Sequence, residues 1–156
     1  MKKFDIAIIG GGILGTTISY WISNLYDSSV CVIEKESNVA KHTSGRNTGV
    51  VHTPFYLNPE KKKIFAKSAH ISHDLWKTLA TNTISPWNEI GTIEVALDET
   101  QHKTLEKYQK WGIENGVSEN NLSLLNSNEL KQKEKNLECY SGLLCKSDVS
   151  TDYSKL

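Results

Sequence analysis

The sequence predicts an α/β fold that opens on one parallel β-α-β unit and turns to α+β in its second half. Three observations carry that reading: an apolar run that meets three consecutive glycines, a second apolar run that ends in an acidic residue, and a later segment that alternates strictly. Phe4 to Ile9 is short and almost continuously apolar, as in a parallel strand buried on both faces. Ile13 to Leu25 follows the glycines as a helix, with Leu14, Ile18, Trp21, Ile22 and Leu25 on one face. Asp27-Ser28-Ser29 makes the turn, and Val30 to Ile33 is a second buried strand closed by Glu34. Strand, helix and strand fit in about thirty residues, the size of one crossover unit.

Lys35 to Thr53 shows no sustained period and is rich in small and polar residues; connections this long are often functional. Pro59 and Glu60 then open a helix reaching roughly Ala80, with Ile64, Ile71, Leu75 and Leu79 on its inner face. From Gly91 to Leu97 the residues Ile93, Val95 and Leu97 alternate with Thr92, Glu94 and Ala96, the pattern of a half-exposed antiparallel strand. Asp98 and Gln101 resemble a capping box for a helix over 99–115, ended by Asn115-Gly116. A short strand near 123–125, a small helix capped by Asn126 or Ser127 and a last strand near 142–146 complete the pass. The change of character near residue 81 marks a domain boundary.

The 156 residues suffice for one ordinary domain with a core of its own. Lys and Arg (18) balance Asp and Glu (18), so no bulk field favours nucleic acid or an anionic membrane, and no nucleic-acid partner is expected. Cys31, Cys139 and Cys145 form no CxxC pair, which points to free thiols in a reducing cytoplasm. Asp5 and the glycines interrupt the apolar amino end too early for a targeting segment or a membrane span. His70 and His73, three apart on a helix, lack a third ligand, so no metal site is expected and they read as solvated or packing residues. Lys61-Lys62-Lys63 reads as a solvated helix start, and Trp76, Trp87 and Trp111 as core or domain-contact residues.

Gly10, Gly12 and Gly15 form a GxGxxG motif between strand and helix. Gly10 permits the tight turn, Gly12 lets main chain approach a pyrophosphate, and Gly15 lets helix and strand pack closely. The amides of Ile13 and Leu14 lie in the first turn of that helix, whose positive end favours phosphate. Glu34 follows Gly15 by 19 residues, placed to accept ribose hydroxyls and to disfavour a 2′-phosphate. The fingerprint fits the ADP half of either NAD or FAD. A glycine-rich turn beside a surface glutamate is the bland alternative.

The stretch Ser44-Gly45-Arg46-Asn47-Thr48-Gly49-Val50-Val51-His52, after Glu34-Lys35, together with the glycine motif, resembles the D-amino-acid-oxidase-type FAD-dependent oxidoreductases. Within that superfamily the spacing through Asn58-Pro59-Glu60, Gly91 to Ala96, Glu114 to Val117 and Val149 to Tyr153 resembles the L-2-hydroxyglutarate dehydrogenase/oxidase group. The Gly45-Arg46-Asn47 triplet resembles the FAD-dependent glycerol-3-phosphate dehydrogenases. The resemblance implies FAD as cofactor, held by Gly10, Gly12, Ile13, Leu14, Gly15, Glu34, Lys35, Ser44, Gly45, Arg46, Asn47, Thr48, Gly49 and Val50. It implies that residues 1–80 begin a Rossmann-like FAD-binding domain, that 81–147 begin an inserted α+β substrate domain, and that 148–156 return to the first.

Arg46, the only arginine, offers a planar fork to phosphate or carboxylate, or faces solvent; Asn47 touches cofactor or holds the loop. His52, near the flavin by resemblance, is the candidate catalytic residue: it takes a substrate proton, holds the ring or carries the flavin covalently, or is simply structural. One departure is plain. The hydroxyglutarate group continues His-Ser-Gly-Ile-Tyr-Tyr, whereas this chain reads His52-Thr53-Pro54-Phe55-Tyr56-Leu57, where proline removes a donor and fixes φ.

The implied reaction is oxidation of a small hydroxy acid or a polyol phosphate, with a quinone or oxygen as electron acceptor. An ordinary NAD-linked dehydrogenase and a non-catalytic nucleotide-binding subunit acting with a partner chain are the readings of other classes. Family members are considerably longer. The chain is therefore expected to be an incomplete part, with a helix starting near Asp152 and with apolar sheet edge and face that a C-terminal half or partner chain covers.

Overall fold

The structure is a computed structural model that describes residues 2–83 and 85–152. The strands are β1 (Ile6–Ile9), β2 (Val30–Ile33), β3 (Val50–Val51), β4 (Trp87–Asn88), β5 (Thr92–Ala96), β6 (Leu122–Asn126), β7 (Ser141–Cys145) and β8 (Val149–Thr151). The helices are α1 (Ile13–Leu25), α2 (Lys63–Thr81), α3 (Glu99–Glu114) and α4 (Ser127–Lys133). The chain packs as two compact units, Met1–Thr48 and Gly49–Leu156.

In the first unit β1 and β2 pair in parallel, from Ile6 beside Val30 to Ile9 beside Ile33, and α1 makes the crossover. Asp5 closes the open end: its carboxylate accepts from Ser29 N at 2.9 Å and from Ser29 Oγ at 2.6 Å. The expected burial on both faces is not met. Ile6 and Ile8 are half-buried while Ala7 and Ile9 are exposed, Ile9 at 87%. α1 has no fully buried residue, and Leu14, Ile18, Trp21 and Leu25 of its apolar face are exposed. Two strands and one helix cannot enclose both sides of a sheet.

The second unit holds two antiparallel sheets, ordered β3-β8-β4 and β5-β7-β6. The larger one carries the core on one face, where Ala96, Leu122, Leu143 and Cys145 meet Leu105 of α3, Val117 and Phe55. On the other face Ile93 and Leu130 of α4 flank Gly142, where an added Cβ would lie 3.0 Å and 3.1 Å from them. The expected strand forms as β5, but its burial does not alternate: Thr92 and Ile93 are half-buried, Glu94 and Val95 are exposed, and Ala96, not Val95 or Leu97, enters the core. Gly112 lets α3 settle onto the sheet, since a Cβ there would meet Leu122 at 2.5 Å and Phe55 at 2.9 Å. Asp98 caps α3 by accepting from Gln101 N, and Asn126, with Glu129, forms a full capping box on α4.

α2 starts at Lys63, later than expected, because Asn58 first closes a turn by accepting from Glu60 N and Lys61 N. Its inner face also differs from the expectation. Ile64, Ile71 and Leu75 are exposed and only Leu79 is half-buried, while Ala66 and Ala80 are buried. His70 Nε2 donates to Asn115 O at 2.6 Å and His73 Nε2 to Ser147 O at 3.2 Å, so both histidines are packing residues. Small residues and histidines let the helix lie close to polar main chain; the apolar stripe is left to solvent.

The short β3, β4 and β8 were not expected from sequence. Through them the Val50–Val51 and Trp87–Asn88 segments share one sheet and pack within the unit that begins at Gly49. The helix expected from Asp152 onward, and Tyr153, lie outside the described residues. No helix among the described residues is long and apolar enough to cross a membrane.

Candidate functional site

In the first unit the site is built on main chain. Gly10 turns the chain out of β1 with φ +102°, a conformation open to glycine at no steric cost. Gly15 is required more strictly: a Cβ there would fall 1.9 Å from Gly10 O, so the first turn of α1 lies directly against the strand's exit. Gly12 is the N-cap of α1 and has no side chain to cap with. Ser44 supplies the cap from the following loop, its Oγ accepting from Ile13 N at 2.9 Å.

That loop is tied to the glycine turn at three points. Ala40 N donates to Gly11 O at 2.9 Å, Gly11 N donates to Glu34 Oε2 at 2.5 Å, and Ser44 caps Ile13. Ala40 takes φ 57° to make its contact, and a Cβ on Gly45 would lie 2.1 Å from Ala40 O. Asn47 holds the loop from within, donating from Nδ2 to Ser44 O at 2.8 Å.

Glu34 is fixed by main chain. Oε1 accepts from Glu36 N at 2.9 Å and Oε2 from Gly11 N. These amide bonds, Glu36's first, hold its carboxyl below the usual range, so it is a carboxylate at neutral pH. Each oxygen keeps a lone pair for a further donor. Leu14, Lys35, Arg46 and Thr48 are exposed around this turn.

The residues of this turn fit the ADP half of a dinucleotide. The turn is open where main chain must approach a ligand: an added Cβ would meet nothing within 4 Å at Gly10 and only Ser44 Oγ, at 3.2 Å, at Gly12. The Ser44 hydroxyl accepts from Ile13 and retains its own hydrogen for a phosphate oxygen. Glu34 can accept from ribose hydroxyls while remaining bonded to Gly11.

Gly49, Val50 and His52 belong to the second unit. Gly49 (φ +70°) and Val50 pair with β8: Thr151 N donates to Gly49 O at 2.8 Å, and a Cβ on Gly49 would lie 2.7 Å from Thr151 O. His52 leaves β3 and meets Asp148, which is 0% exposed. His52 Nδ1 donates to Asp148 Oδ2 at 2.7 Å, and Thr92 Oγ1 donates to the same oxygen at 2.6 Å. Asp148 Oδ1 accepts from Thr53 N at 2.7 Å, from Thr53 Oγ1 at 2.9 Å and from Cys145 Sγ at 3.4 Å.

Burial pushes the Asp148 carboxyl up, but the bonds from His52, Thr53 and Thr92 outweigh it and the net shift is downward. The bond to Asp148 raises His52 above the ordinary histidine value, partial burial opposes it, and the charges of Asp148 and Glu94 add to the rise. Burial likewise raises the Cys145 thiol, an inert core group. The segment after His52 is anchored: Phe55 enters the core, and Asn115 Nδ2 donates to Pro54 O and Leu57 O at 2.8 Å each.

Sequence reasoning missed Asp148, Thr53 and Thr92. A buried carboxylate looks like any other aspartate in a sequence, and its donors lie 95, 96 and 56 positions away. Among the described residues no group of three or more His, Cys, Asp and Glu is arranged to hold a metal ion.

The family model described as FAD dependent oxidoreductase matches residues 5–156. The chain belongs to this family. Its cofactor is accordingly FAD. The chain is 32% identical to the glycerol 3-phosphate dehydrogenase of Caloramator mitchellensis over 86% of its length and 27% of that protein's. It is 30% identical to the human mitochondrial L-2-hydroxyglutarate dehydrogenase, over 99% of this chain and 33% of that one. The solved L-alpha-glycerophosphate oxidase of Mycoplasma pneumoniae with FAD bound superposes with a TM-score of 0.86 at 29% identity, covering 98% of this chain and 40% of the oxidase. The chain thus spans about a third of the length of these relatives. The glycine oxidase of Geobacillus kaustophilus, 19% identical with a TM-score of 0.82, shares the fold.

Proposed function

We propose that this chain is the FAD-holding part of an oxidoreductase that converts a small 2-hydroxy acid such as L-2-hydroxyglutarate to its keto acid. The observation that carries the reading is the backbone cradle: a glycine turn, a helix start capped by Ser44, and a carboxylate fixed by Gly11 and Glu36. Gly10, Gly12, Ile13, Leu14 and Gly15 hold the pyrophosphate and Glu34 the ribose. The loop residues Lys35, Ser44, Gly45, Arg46, Asn47, Thr48, Gly49 and Val50 line the rest of the cofactor. In this reading residues 1–80 and 148–156 serve the cofactor, and 81–147 begin the substrate domain.

When bound, FAD supplies the two-electron oxidant. On the protein's side, His52 takes the proton of the substrate hydroxyl. Each oxidation removes a hydride from carbon and a proton from oxygen, and a quinone or oxygen returns the cofactor to its oxidised state. The exposed apolar face of α1 and the outer side of β1 and β2 suit further chain, or a partner chain, packing there.

A second reading has glycerol 3-phosphate as substrate. It is favoured by the Gly45-Arg46-Asn47 triplet and by the likeness to the Mycoplasma pneumoniae oxidase. The test is an absorbance spectrum of the protein purified with FAD, with each substrate added anaerobically. Bleaching by L-2-hydroxyglutarate supports the first reading and bleaching by glycerol 3-phosphate alone supports the second. A colourless protein that takes up no FAD refutes both.

A further inference from the structure

We propose that Asp148 is a positioning residue: it holds His52 as the Nδ1–H tautomer and thereby keeps Nε2 as a proton acceptor on the outward side of the ring. The inference rests on the proposed role of His52 as base and adds the group that makes the role possible.

The argument starts from donor counts. Thr53 N can only donate, and it is aimed at Asp148 Oδ1 together with the Thr53 hydroxyl; the Thr92 hydroxyl and His52 Nδ1 both meet Oδ2. The Thr53 and Thr92 hydroxyls can turn their hydrogens onto the carboxyl beside the obligate Thr53 amide donor, and these bonds hold Asp148 below its ordinary value despite its burial, so at neutral pH it is a carboxylate and only accepts. Nδ1 must then carry hydrogen, and the lone pair of a neutral His52 sits on Nε2. Nε2 has no protein partner among the described residues, and the side chain is 41% exposed, whereas Asp148 is wholly enclosed.

The ring is also held against rotation. Tyr56 stands edge-on with its centroid 6.0 Å away, and Tyr56 follows Phe55, which is locked in the core. When His52 gains a proton, the imidazolium faces Asp148 directly and Glu94 at longer range, so the charged product of proton transfer is stabilised where it forms. The proton leaves the substrate oxygen and ends on Nε2; the carboxylate never takes it. Thr53, in the loop after β3, and Thr92, at the start of β5, hold Asp148 from two separate parts of the chain.

The direct measurement is long-range proton–nitrogen NMR on the flavin-loaded protein and on protein without added FAD, with nitrogen-15 in histidine only. His52 is assigned by its loss in His52→Asn. The expected result is a neutral His52 protonated at Nδ1, titrating above an ordinary histidine. In Asp148→Asn the titration should fall by about one unit or more, and the tautomer should become mixed. The acidic limb of the kcat/KM profile should move to lower pH with it, and kcat should drop by roughly 10- to 100-fold.

A neutral wild-type His52 protonated at Nε2 overturns the inference without any variant, so failure of Asp148→Asn to fold does not protect it. A folded Asp148→Asn with unchanged His52 titration overturns it as well, because Asp148 would then be only a structural tie. The tautomer is read with or without FAD. Loss of FAD binding therefore counts against the proposed function alone, and a wrong tautomer in an active flavoprotein counts against this inference alone.

Discussion

The two units are built on opposite principles. The first is a turn of glycine backbone over a two-stranded sheet, with no fully buried residue in its helix and with Ile9, Leu14 and Leu25 in solvent. The second encloses Leu122, Leu143 and Cys145 between a three-stranded sheet and α3, and seals a carboxylate inside with all its bonds made. The first keeps polar main chain available to a ligand; the second keeps polar side chains away from water. A dinucleotide site needs close, unobstructed amides, and a tautomer-fixing pair needs enclosure. The difference between the units is therefore a division of chemical labour as much as of packing.

The sharpest way to break this comparison is Gly15→Ala. The new Cβ would sit 1.9 Å from Gly10 O, and main chain has nowhere to go without separating α1 from β1. A cost of about 3 kcal/mol or more is expected in the first unit, with FAD affinity lost by at least about 100-fold. Hydrogen exchange should show amides of β1 and β2 opening while β5 and β7 stay protected. Equal loss in both would mean that the units melt as one.

Next in size is a truncation that separates the two kinds of apolar residue. Leu143→Ala removes a wholly buried side chain from the centre of the larger sheet and should cost about 2–5 kcal/mol. Leu25→Ala in α1 removes an exposed one and should change stability by no more than about 0.5 kcal/mol. Denaturant titrations of the two variants, followed by tryptophan fluorescence, give the ratio. A costly Leu25→Ala would show that the first unit's apolar face is covered in solution.

A smaller effect is expected from pH, with opposite signs at the two members of the pair. Asp148 is depressed below its unfolded value, so its contribution is present above the ordinary carboxylate pKa and fades as pH falls through its lowered value. His52 is raised, so its contribution is complete below the ordinary histidine pKa and is lost as pH rises through its higher value. The Tm of the second unit should therefore be highest in the acidic-to-neutral window between these limits. Asp148→Asn should lower that plateau and flatten both sides of the profile; an unchanged profile would dissociate the pair from stability.

Much of this architecture is legible in the amino-acid sequence. The βαβ unit, the tight turn at Gly10, the close packing at Gly15 and the α3 and α4 caps follow from local chemistry: Gly10 with Gly15, Asp98 with Gln101, and Asn126 with Glu129 each act within a few residues. The extents of α1 and β2 match their apolar patterns, because periodicity is a local signal. The illegible parts are those that depend on distant partners. β3 and β8 are two and three residues long and exist only through each other. Asp148 is defined by Thr53, His52 and Thr92, and Ser44 becomes a helix cap only once its loop has folded back over α1. The inner face of α2 escapes the sequence for a related reason: periodicity finds an apolar stripe but not whether anything covers it.

That stripe supplies the mildest test and the one closest to the comparison. On α2, Ile71 is exposed and Ile64 is exposed at 80%, while the opposite side presents buried Ala66 and Ala80 and the bonds of His70 and His73 to main chain. The helix therefore behaves like the first unit on one side and like the second on the other. Ile71→Gln keeps a good helix former on an exposed position, so stability should change by less than about 0.5 kcal/mol. Ala66→Leu, by contrast, forces three carbons into an occupied face and should cost about 1–3 kcal/mol. If the protein's remaining segments or a partner cover the stripe, Ile71→Gln will cost as much as a core truncation in the complete assembly and almost nothing in the chain alone. Thermal melts of both variants in the two forms decide between a solvent-facing stripe and a buried one.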